Sequence, residues 1–238
     1  MNLNSKTLRA EARFQVFAHL SKGILAYILS GLITTLIVYN IQITAVSKNV
    51  SLIPDTAEKA LIIYSVLFLA LIANLPLTFC AERFYLLISR QTPLEPISLK
   101  CFFEPFEKPS LFFKGSLLVL LVSVMNVLGI FVLVFPVYLA FGLSVFHLSD
   151  NPEISVFEAM KRSAKTMKGK KMFAFKTLLP LWCTMAVFSY LLSSLYFVSF
   201  FVTSVIEIMI FVVLALIYEK SRQESGMSLT EKHENRIG

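Results

Sequence analysis

Long apolar stretches separated by short charged segments make up most of this 238-residue chain. The longest stretch, from Gly115 to Phe146, runs for 32 residues without a formal charge. A membrane-spanning helix needs about 20 apolar residues to cross about 30 Å of hydrocarbon. The pattern therefore predicts an all-α fold, a polytopic helical membrane bundle that forms a single domain over residues 1–218.

The longest stretch predicts a proline-broken hairpin. As one straight helix it would be about 48 Å long, which exceeds the hydrocarbon core. The residue before a proline disfavours helical backbone, so Phe135-Pro136 is the expected break. A full span then precedes the break, and a 12-residue arm of about 18 Å follows it. This arm either returns as a short helix completed by flanking residues or stays partly re-entrant against its neighbours.

The other apolar stretches each predict one span, and prolines at positions 76 and 180 are expected to interrupt two of them. The apolar run after Lys22 is longer than that of a signal peptide, so it predicts an uncleaved first span. A charged, mobile tail is expected at 219–238. The predicted spans are 23–46, 60–81, 111–134, 137–148 (short), 172–192 and 195–218.

The distribution of basic residues supports about six passes. The chain holds 22 Lys and Arg residues. With the hairpin, 20 of them fall on one side of the membrane. Without it, the 11 basic residues of segment 149–176 and of the tail move to the opposite side. Because basic segments stay in the cytoplasm, the hairpin is favoured, with both termini cytoplasmic in a bacterial plasma membrane.

The composition and motifs argue against several classes of protein function. Hydrophobic residues make up 56% of the chain and charged residues 16%, against about 25% charged in soluble domains. No basic-aromatic module points to nucleic acid. The three cysteines lack paired spacing, and neither a metal site nor a cofactor site is indicated. The sequence has no phosphate-binding glycine loop and no nucleophile elbow, so we expect no enzyme and no catalytic residue.

The N-terminal segment contains an apolar stripe. Leu8, Ala12 and Val16 recur at four-residue spacing, with Arg9 and Arg13 beside them. This spacing is typical of an amphipathic helix at a membrane surface. A helical extension of the first span explains the same pattern.

Residues 151–169 predict a cytoplasmic amphipathic helix. Ser155 and Glu158 have capping-box spacing, and Gly169 is the expected terminator. The predicted apolar face lies in the lipid headgroup region or against the bundle, and the basic face binds anionic lipid headgroups. A partner groove or a regulatory element is the alternative. The predicted apolar face is Val156, Met160, Ala164 and Met167, and the basic face is Lys161, Arg162, Lys165 and Lys168.

Glu207 is the candidate intramembrane polar site. It lies midway along the last predicted span, where a carboxylate costs several kcal/mol unless it is paired, protonated or hydrated. Asn74, Asn126 and Lys176 are the candidate partners. The functional interpretation is a proton or cation site, and the alternative is one polar group satisfied between helices.

Several short stretches form a recognisable set along the chain. They are Leu8-Arg9-Ala10-Glu11-Ala12-Arg13, Asp150-Asn151-Pro152, Glu158-Ala159-Met160-Lys161-Arg162-Ser163, Met167-Lys168-Gly169, then Phe173, Leu178 and Trp182, and finally Tyr218-Glu219. Together they resemble a bacterial integral-membrane family catalogued as domain of unknown function 975. The resemblance implies six passes and a proline-broken hairpin, and it supplies no mechanism. Two departures are Phe135-Pro136-Val137, where a Pro-Gly is expected, and Glu207 in a last span without the usual glycines.

These observations favour a non-enzymatic, multi-pass plasma-membrane protein that acts as a partner subunit or as an envelope-stress or immunity factor. Its expected partners are the bilayer with its anionic headgroups and another membrane protein, and not nucleic acid. The alternative is a small transporter or permease that uses Glu207 and helices broken at prolines 76, 136 and 180. An enzyme acting on lipid has the least support.

Overall fold

The computed structural model describes residues 4–31, 57–92, 96–130, 134–192 and 195–224, and every regular element within these ranges is helical. The predicted all-helical fold is therefore confirmed. In chain order the elements are α1 (Ser5–Ala18), α2 (Leu20–Gly31), α3 (Ala57–Arg90), α4 (Lys100–Phe103), a 3-10 turn (Glu104–Glu107), α5 (Pro109–Ile130), α6 (Val134–Phe141), α7 (Ser144–Asp150), α8 (Val156–Thr166), α9 (Lys171–Leu191) and α10 (Tyr196–Glu224).

Four helices within these ranges are long and apolar enough to cross a membrane. The shortest is 18 residues long, which corresponds to about 27 Å and matches a hydrocarbon core of about 30 Å. α2 is a shorter apolar helix that begins three residues before the predicted first span, and residues 32–46 of that span lie outside the described part of the chain. The four segments are Phe68–Arg90, Pro109–Asn126, Lys171–Leu191 and Val198–Glu224.

The long helices continue past several predicted boundaries. α3 runs through Pro76, and α9 runs through Pro180, so neither proline ends its helix. α10 extends six residues beyond its predicted end at Tyr218. Residues 219–224, predicted to belong to the tail, are therefore helical, and residues 225–238 lie outside the described part of the chain.

The return arm of the hairpin differs from the predicted single short helix. α6 and α7 are separate helices, and the chain breaks between them at Gly142 and Leu143. The predicted break, Phe135-Pro136, lies within α6. Ser163 of α8 stabilises the break between α6 and α7, because its hydroxyl donates to the Ala140 carbonyl (2.7 Å) and accepts from the Leu143 N–H (3.2 Å).

The apolar stripe predicted in the N-terminal segment is confirmed. Leu8, Ala12 and Val16 are all buried. α1 packs against α9 and α10. α1 is also distinct from the first span, since it ends before His19 and α2 begins after it. The N-terminal helix is thus part of the packed bundle.

A contact between α1 and α9 accommodates Pro180 inside a membrane-length helix. Proline has no N–H, so the carbonyl of Lys176, one turn earlier, lacks its usual helical donor. The Arg9 guanidinium donates long hydrogen bonds to this carbonyl (3.4 Å) and to that of Thr177 (3.3 Å). Arg9 therefore offsets the loss of backbone bonding that Pro180 causes.

α8 begins and ends as predicted. The Ser155 hydroxyl accepts from the Glu158 N–H (3.2 Å), and Gly169 has a φ of +79°, which favours glycine just beyond a helix. The Glu158 carboxylate does not complete the reciprocal half of the capping box, because it pairs with Arg162 at 3.0 Å.

The buried face of α8 is rotated from the predicted one. Met160 and Ala164, predicted to lie on the apolar face, are only half-buried. α8 packs against α5, α6 and α7, so its inner face lies against the bundle and covers the break between α6 and α7. The buried residues are Val156, Ala159, Ser163 and Met167.

Candidate functional site: an acidic cavity in the helical bundle

A cavity of about 420 Å³ lies between α2, α3 and α10. This volume falls within the range of about 300–1,000 Å³ that is typical of small-molecule sites. The polar residues that line it are Tyr27, Ser30, Asn74, Thr78, Glu82, Tyr85 and Glu207. The other lining residues are Ile28, Gly31, Ala81, Phe200 and Phe211.

One face of α3 supplies most of the polar lining. Residues spaced by three or four positions lie on the same side of a helix, so Asn74, Thr78, Glu82 and Tyr85 form a continuous stripe. Pro76 lies within this stretch, and its missing N–H leaves the carbonyl of residue 72 without its helical donor. The sequence therefore places polar groups along an otherwise apolar helix.

Glu207 enters the cavity from α10. Its carboxylate accepts a hydrogen bond from the Tyr27 hydroxyl of α2 at 2.9 Å. On α10 it lies two turns after Phe200 and one turn before Phe211, so all three side chains share one face. The carboxylate is thus held between aromatic rings.

The structure places the predicted partners of Glu207 at different distances from the cavity. Asn74 lines the same cavity. Asn126 lies on α5 and does not line it, although its buried carbonyl oxygen also has no hydrogen-bond partner among the described residues. Lys176 is exposed on α9, so the proposed pairing of Glu207 with this lysine is wrong.

Glu82 is the site residue that the sequence interpretation missed. Glu82 lies one residue after the predicted second span, 60–81, and next to the charged Arg83. In the structure Arg83 turns away and pairs with Glu104 at 2.7 Å, while Glu82 lines the same cavity as Glu207. The four-residue spacing of Asn74, Thr78 and Glu82 is the signal that could have revealed it.

The cavity has the electrostatics of a cation site. Two carboxylates face it, and its described lining contains no Lys, Arg or His. The Tyr85 hydroxyl and the Asn74 side-chain oxygen are buried and find no partner among the described residues. Buried polar atoms are nearly always hydrogen-bonded, so these two oxygens have hydrogen-bonding capacity that no described residue uses. The arrangement can bind a proton or a cation between helices.

A second polar cluster ties three helix ends together. One carboxylate oxygen of Asp150, at the end of α7, accepts from Arg90 (2.7 Å), Arg222 (2.7 Å) and Tyr218 (2.8 Å). Arg90 also donates to Glu219 at 2.7 Å. We call these five residues the Asp150 cluster. It joins the ends of α3, α7 and α10 and satisfies its own charges, which is typical of a structural clamp.

The Asp150 cluster stabilises the ionised form of the Asp150 side chain over the protonated form. Burial alone would raise the pKa of Asp150, but hydrogen bonds and positive charge from Arg90 and Arg222, with the Tyr218 hydroxyl, outweigh it. The pKa of Asp150 is therefore held below its ordinary value. Asp150 and Tyr218-Glu219, which belong to two of the stretches in the family resemblance, are in contact here.

The predicted basic helix presents its charges outward. Lys161, Lys165 and Lys168 are exposed, while Arg162 is half-exposed and paired with Glu158. Phe157 lies beside them and is 73% exposed. Basic and apolar side chains on one open surface suit a lipid headgroup region.

Comparison with protein-family models, with curated proteins and with solved structures finds no match to this chain.

Proposed function

We propose that this chain is a non-enzymatic, multi-pass protein of the bacterial plasma membrane that transports a small cation. The observation that supports this most is the pair of carboxylates, Glu82 and Glu207, facing one cavity whose described lining holds no basic side chain. Carboxylates in apolar surroundings repel anions and are stabilised by a proton or a cation. The cavity thus favours the transporter hypothesis over a partner subunit or an envelope-stress factor.

The proposed topology has six passes, with both termini in the cytoplasm. Contacts between the basic segments support this arrangement. Lys114 at the start of α5 donates to the Pro152 carbonyl at 2.8 Å, and Gln15 donates to the Gln91 carbonyl at 3.0 Å. Arg90 pairs with Asp150 in the Asp150 cluster. These contacts favour one common side for the basic segments, and their positive charge favours the cytoplasm as that side.

Reporter fusions test the topology. Fusions at residue 152 and at the C-terminus are expected to report cytoplasm, and a fusion within 48–56 is expected to report the exterior. Protease protection of the same sites in inverted vesicles gives an independent readout. An external signal at either of the first two positions contradicts the six-pass arrangement.

The exposed basic face of α8 is proposed to anchor the protein at anionic headgroups, where each basic residue contributes about 1 kcal/mol. Replacing Lys161, Lys165 and Lys168 by Gln is expected to reduce membrane insertion of the residue-152 fusion. Unchanged insertion would favour a partner-binding role for this face.

Uptake into proteoliposomes tests cation transport. We expect protein-dependent uptake of at least one labelled cation among sodium, rubidium, methylammonium and phenethylammonium, driven by an interior-negative potential. Glu207→Gln removes the charge and keeps the shape, so it is expected to lower the uptake at least about tenfold, which corresponds to about 1.4 kcal/mol. Glu82→Gln is expected to act in the same direction.

Glu153→Gln is the matched control, because Glu153 is exposed and far from the cavity lining. It should leave uptake unchanged. Uptake that equals that of protein-free vesicles for all four cations, or wild-type uptake by Glu207→Gln, would reject the proposed transport.

A further inference from the structure

We infer that the cavity accepts a protonated amine with an apolar substituent, its ammonium group held by Glu207 and Glu82 and its substituent held among aromatic rings. The inference deepens the proposed cation transport and rests on the same cavity. It specifies the chemical class of the cation.

Two aromatic pairs flank the carboxylates. Tyr27 and Phe200 have ring centroids 6.0 Å apart, and Tyr85 stacks on Phe211 at 5.5 Å with an interplanar angle of 21°. Each pair joins α10 to a facing helix, with Glu207 between them along α10. Aromatic faces attract cations and also pack against apolar groups. This combination suits an organic cation better than a hydrated ion.

The oxygen atoms of the site are too dispersed for a bare metal ion. A hard cation such as Ca²⁺ takes about six to eight oxygen ligands at about 2.3–2.6 Å. The polar stripe of α3 runs from Asn74 to Tyr85, which is about 16 Å along the helix axis. Among the described residues, no three His, Cys, Asp or Glu side chains are placed to hold a metal. A ligand of molecular size fits this spread.

The unpaired oxygens indicate a ligand that donates hydrogen bonds. Tyr85 is 1% exposed, and its hydroxyl is unpaired among the described residues although it lines the cavity. The side-chain oxygen of Asn74 is equally unpaired and can only accept. An ammonium N–H can donate to a carboxylate and to one of these oxygens, whereas a quaternary ammonium has no N–H to donate. A primary, secondary or tertiary amine is therefore favoured.

Calorimetric titration of the full-length protein in lipid nanodiscs tests the inference, with protein-free nanodiscs as the blank. Phenethylammonium is the probe, at pH 7. Three analogues each remove one feature: phenethyl alcohol lacks the charge, trimethyl(phenethyl)ammonium lacks the N–H donors, and methylammonium lacks the ring. We expect saturable binding of the probe and affinity at least about tenfold weaker for every analogue.

Variants locate the binding. Phe211→Leu and Tyr85→Phe are expected to weaken phenethylammonium about three- to tenfold through loss of the ring face and of the hydroxyl, respectively. Phe106→Leu is the control, because this ring is exposed on the 3-10 turn away from the cavity. Circular dichroism during heating checks that each variant is folded.

Two results would overturn the inference: absence of saturable phenethylammonium binding, or an analogue that binds as tightly as the probe. Wild-type affinity in both cavity variants would also reject it. If Glu207-dependent uptake of an inorganic cation occurs without phenethylammonium binding, the transport function stands and the amine assignment fails. If phenethylammonium binds and no flux depends on Glu207, the assignment of the ligand class stands and the transport function fails.

Discussion

Replacing Asp150 by Asn is expected to lower the free energy of unfolding by about 3 kcal/mol, which is typical for breaking a largely buried ion pair. The side chains of Asp150 and Arg222 are only 10% and 15% exposed, so hydration compensates for little of the lost ion-pair interaction. The Asp150→Asn variant would leave the guanidinium groups of Arg90 and Arg222 without the carboxylate that they share. The ends of α3, α7 and α10 would then lose the negative charge that joins them. Titration with SDS in mixed micelles, followed by circular dichroism, measures the effect.

The matched control is Glu158→Gln. Glu158 and Arg162 also form an ion pair, at 3.0 Å, but both side chains are about two-fifths exposed. Exposed pairs contribute about 0–1 kcal/mol, so this variant is expected to unfold nearly as the wild type does. Equal losses in the two variants would contradict a structural role specific to the Asp150 cluster.

The pH dependence follows from the lowered pKa of Asp150. A carboxyl whose folded pKa is depressed stabilises the fold above its unfolded pKa, and this contribution is lost as the pH falls through the folded pKa. The wild type should therefore lose stability below the ordinary aspartate value of about 3.9. The Asp150→Asn variant should lose less stability over the same acid range. Parallel curves of the free energy of unfolding against pH for the two proteins would argue against the lowered pKa of Asp150.

Local signals in the sequence predicted the elements that local physics determines. The apolar runs gave the membrane-length helices, and the four-residue stripe beginning at Leu8 gave the buried face of α1. Ser155 and Gly169 marked the ends of α8 because capping and left-handed backbone depend on one residue each. These features need no knowledge of what packs against them.

Features that depend on distant neighbours were not predictable in the same way. The Asp150 cluster joins residues 60 to 129 positions apart, and no spacing rule connects them. The break at Gly142 escaped notice because Pro136 is the stronger local signal. Its stabilisation comes from Ser163, a residue 20 or more positions later on another helix.

The residues of the candidate site also divide into those with a local sequence signal and those that depend on packing between helices. Glu207 was found because a lone carboxylate is conspicuous in an apolar span. Asn74 and Asn126 were equally plausible companions, and only the packing of α3 beside α10 separates them. Glu82 was missed because the charge of Arg83 next to it is typical of a helix end. Which side of a helix faces a cavity is decided by its neighbours, so periodicity alone cannot assign it.

Gly115→Ala is expected to destabilise the protein by about 1–3 kcal/mol through overpacking between α3 and α5. A Cβ at this position would come within 2.5 Å of Phe79 ring atoms, which is far inside van der Waals contact. Phe79 is fully buried, so its ring has no space to retreat and the two helices must separate. Alanine stabilises a helix by about 1 kcal/mol relative to glycine. The measured loss in the free energy of unfolding is therefore smaller than the free-energy cost of the clash.

Gly23→Ala provides the comparison within the same protein. Its added Cβ would lie 3.5 Å from Ile208, an ordinary contact, and helix propensity should make this variant at least as stable as the wild type. A double variant, Gly115→Ala with Phe79→Leu, is expected to recover part of the loss, giving a coupling energy of about 1 kcal/mol or more. Additive losses in SDS titration would show that the two residues do not compete for space. Because α3 carries the polar stripe, separating it from α5 should also weaken phenethylammonium binding, whereas Gly23→Ala should leave α3 in place.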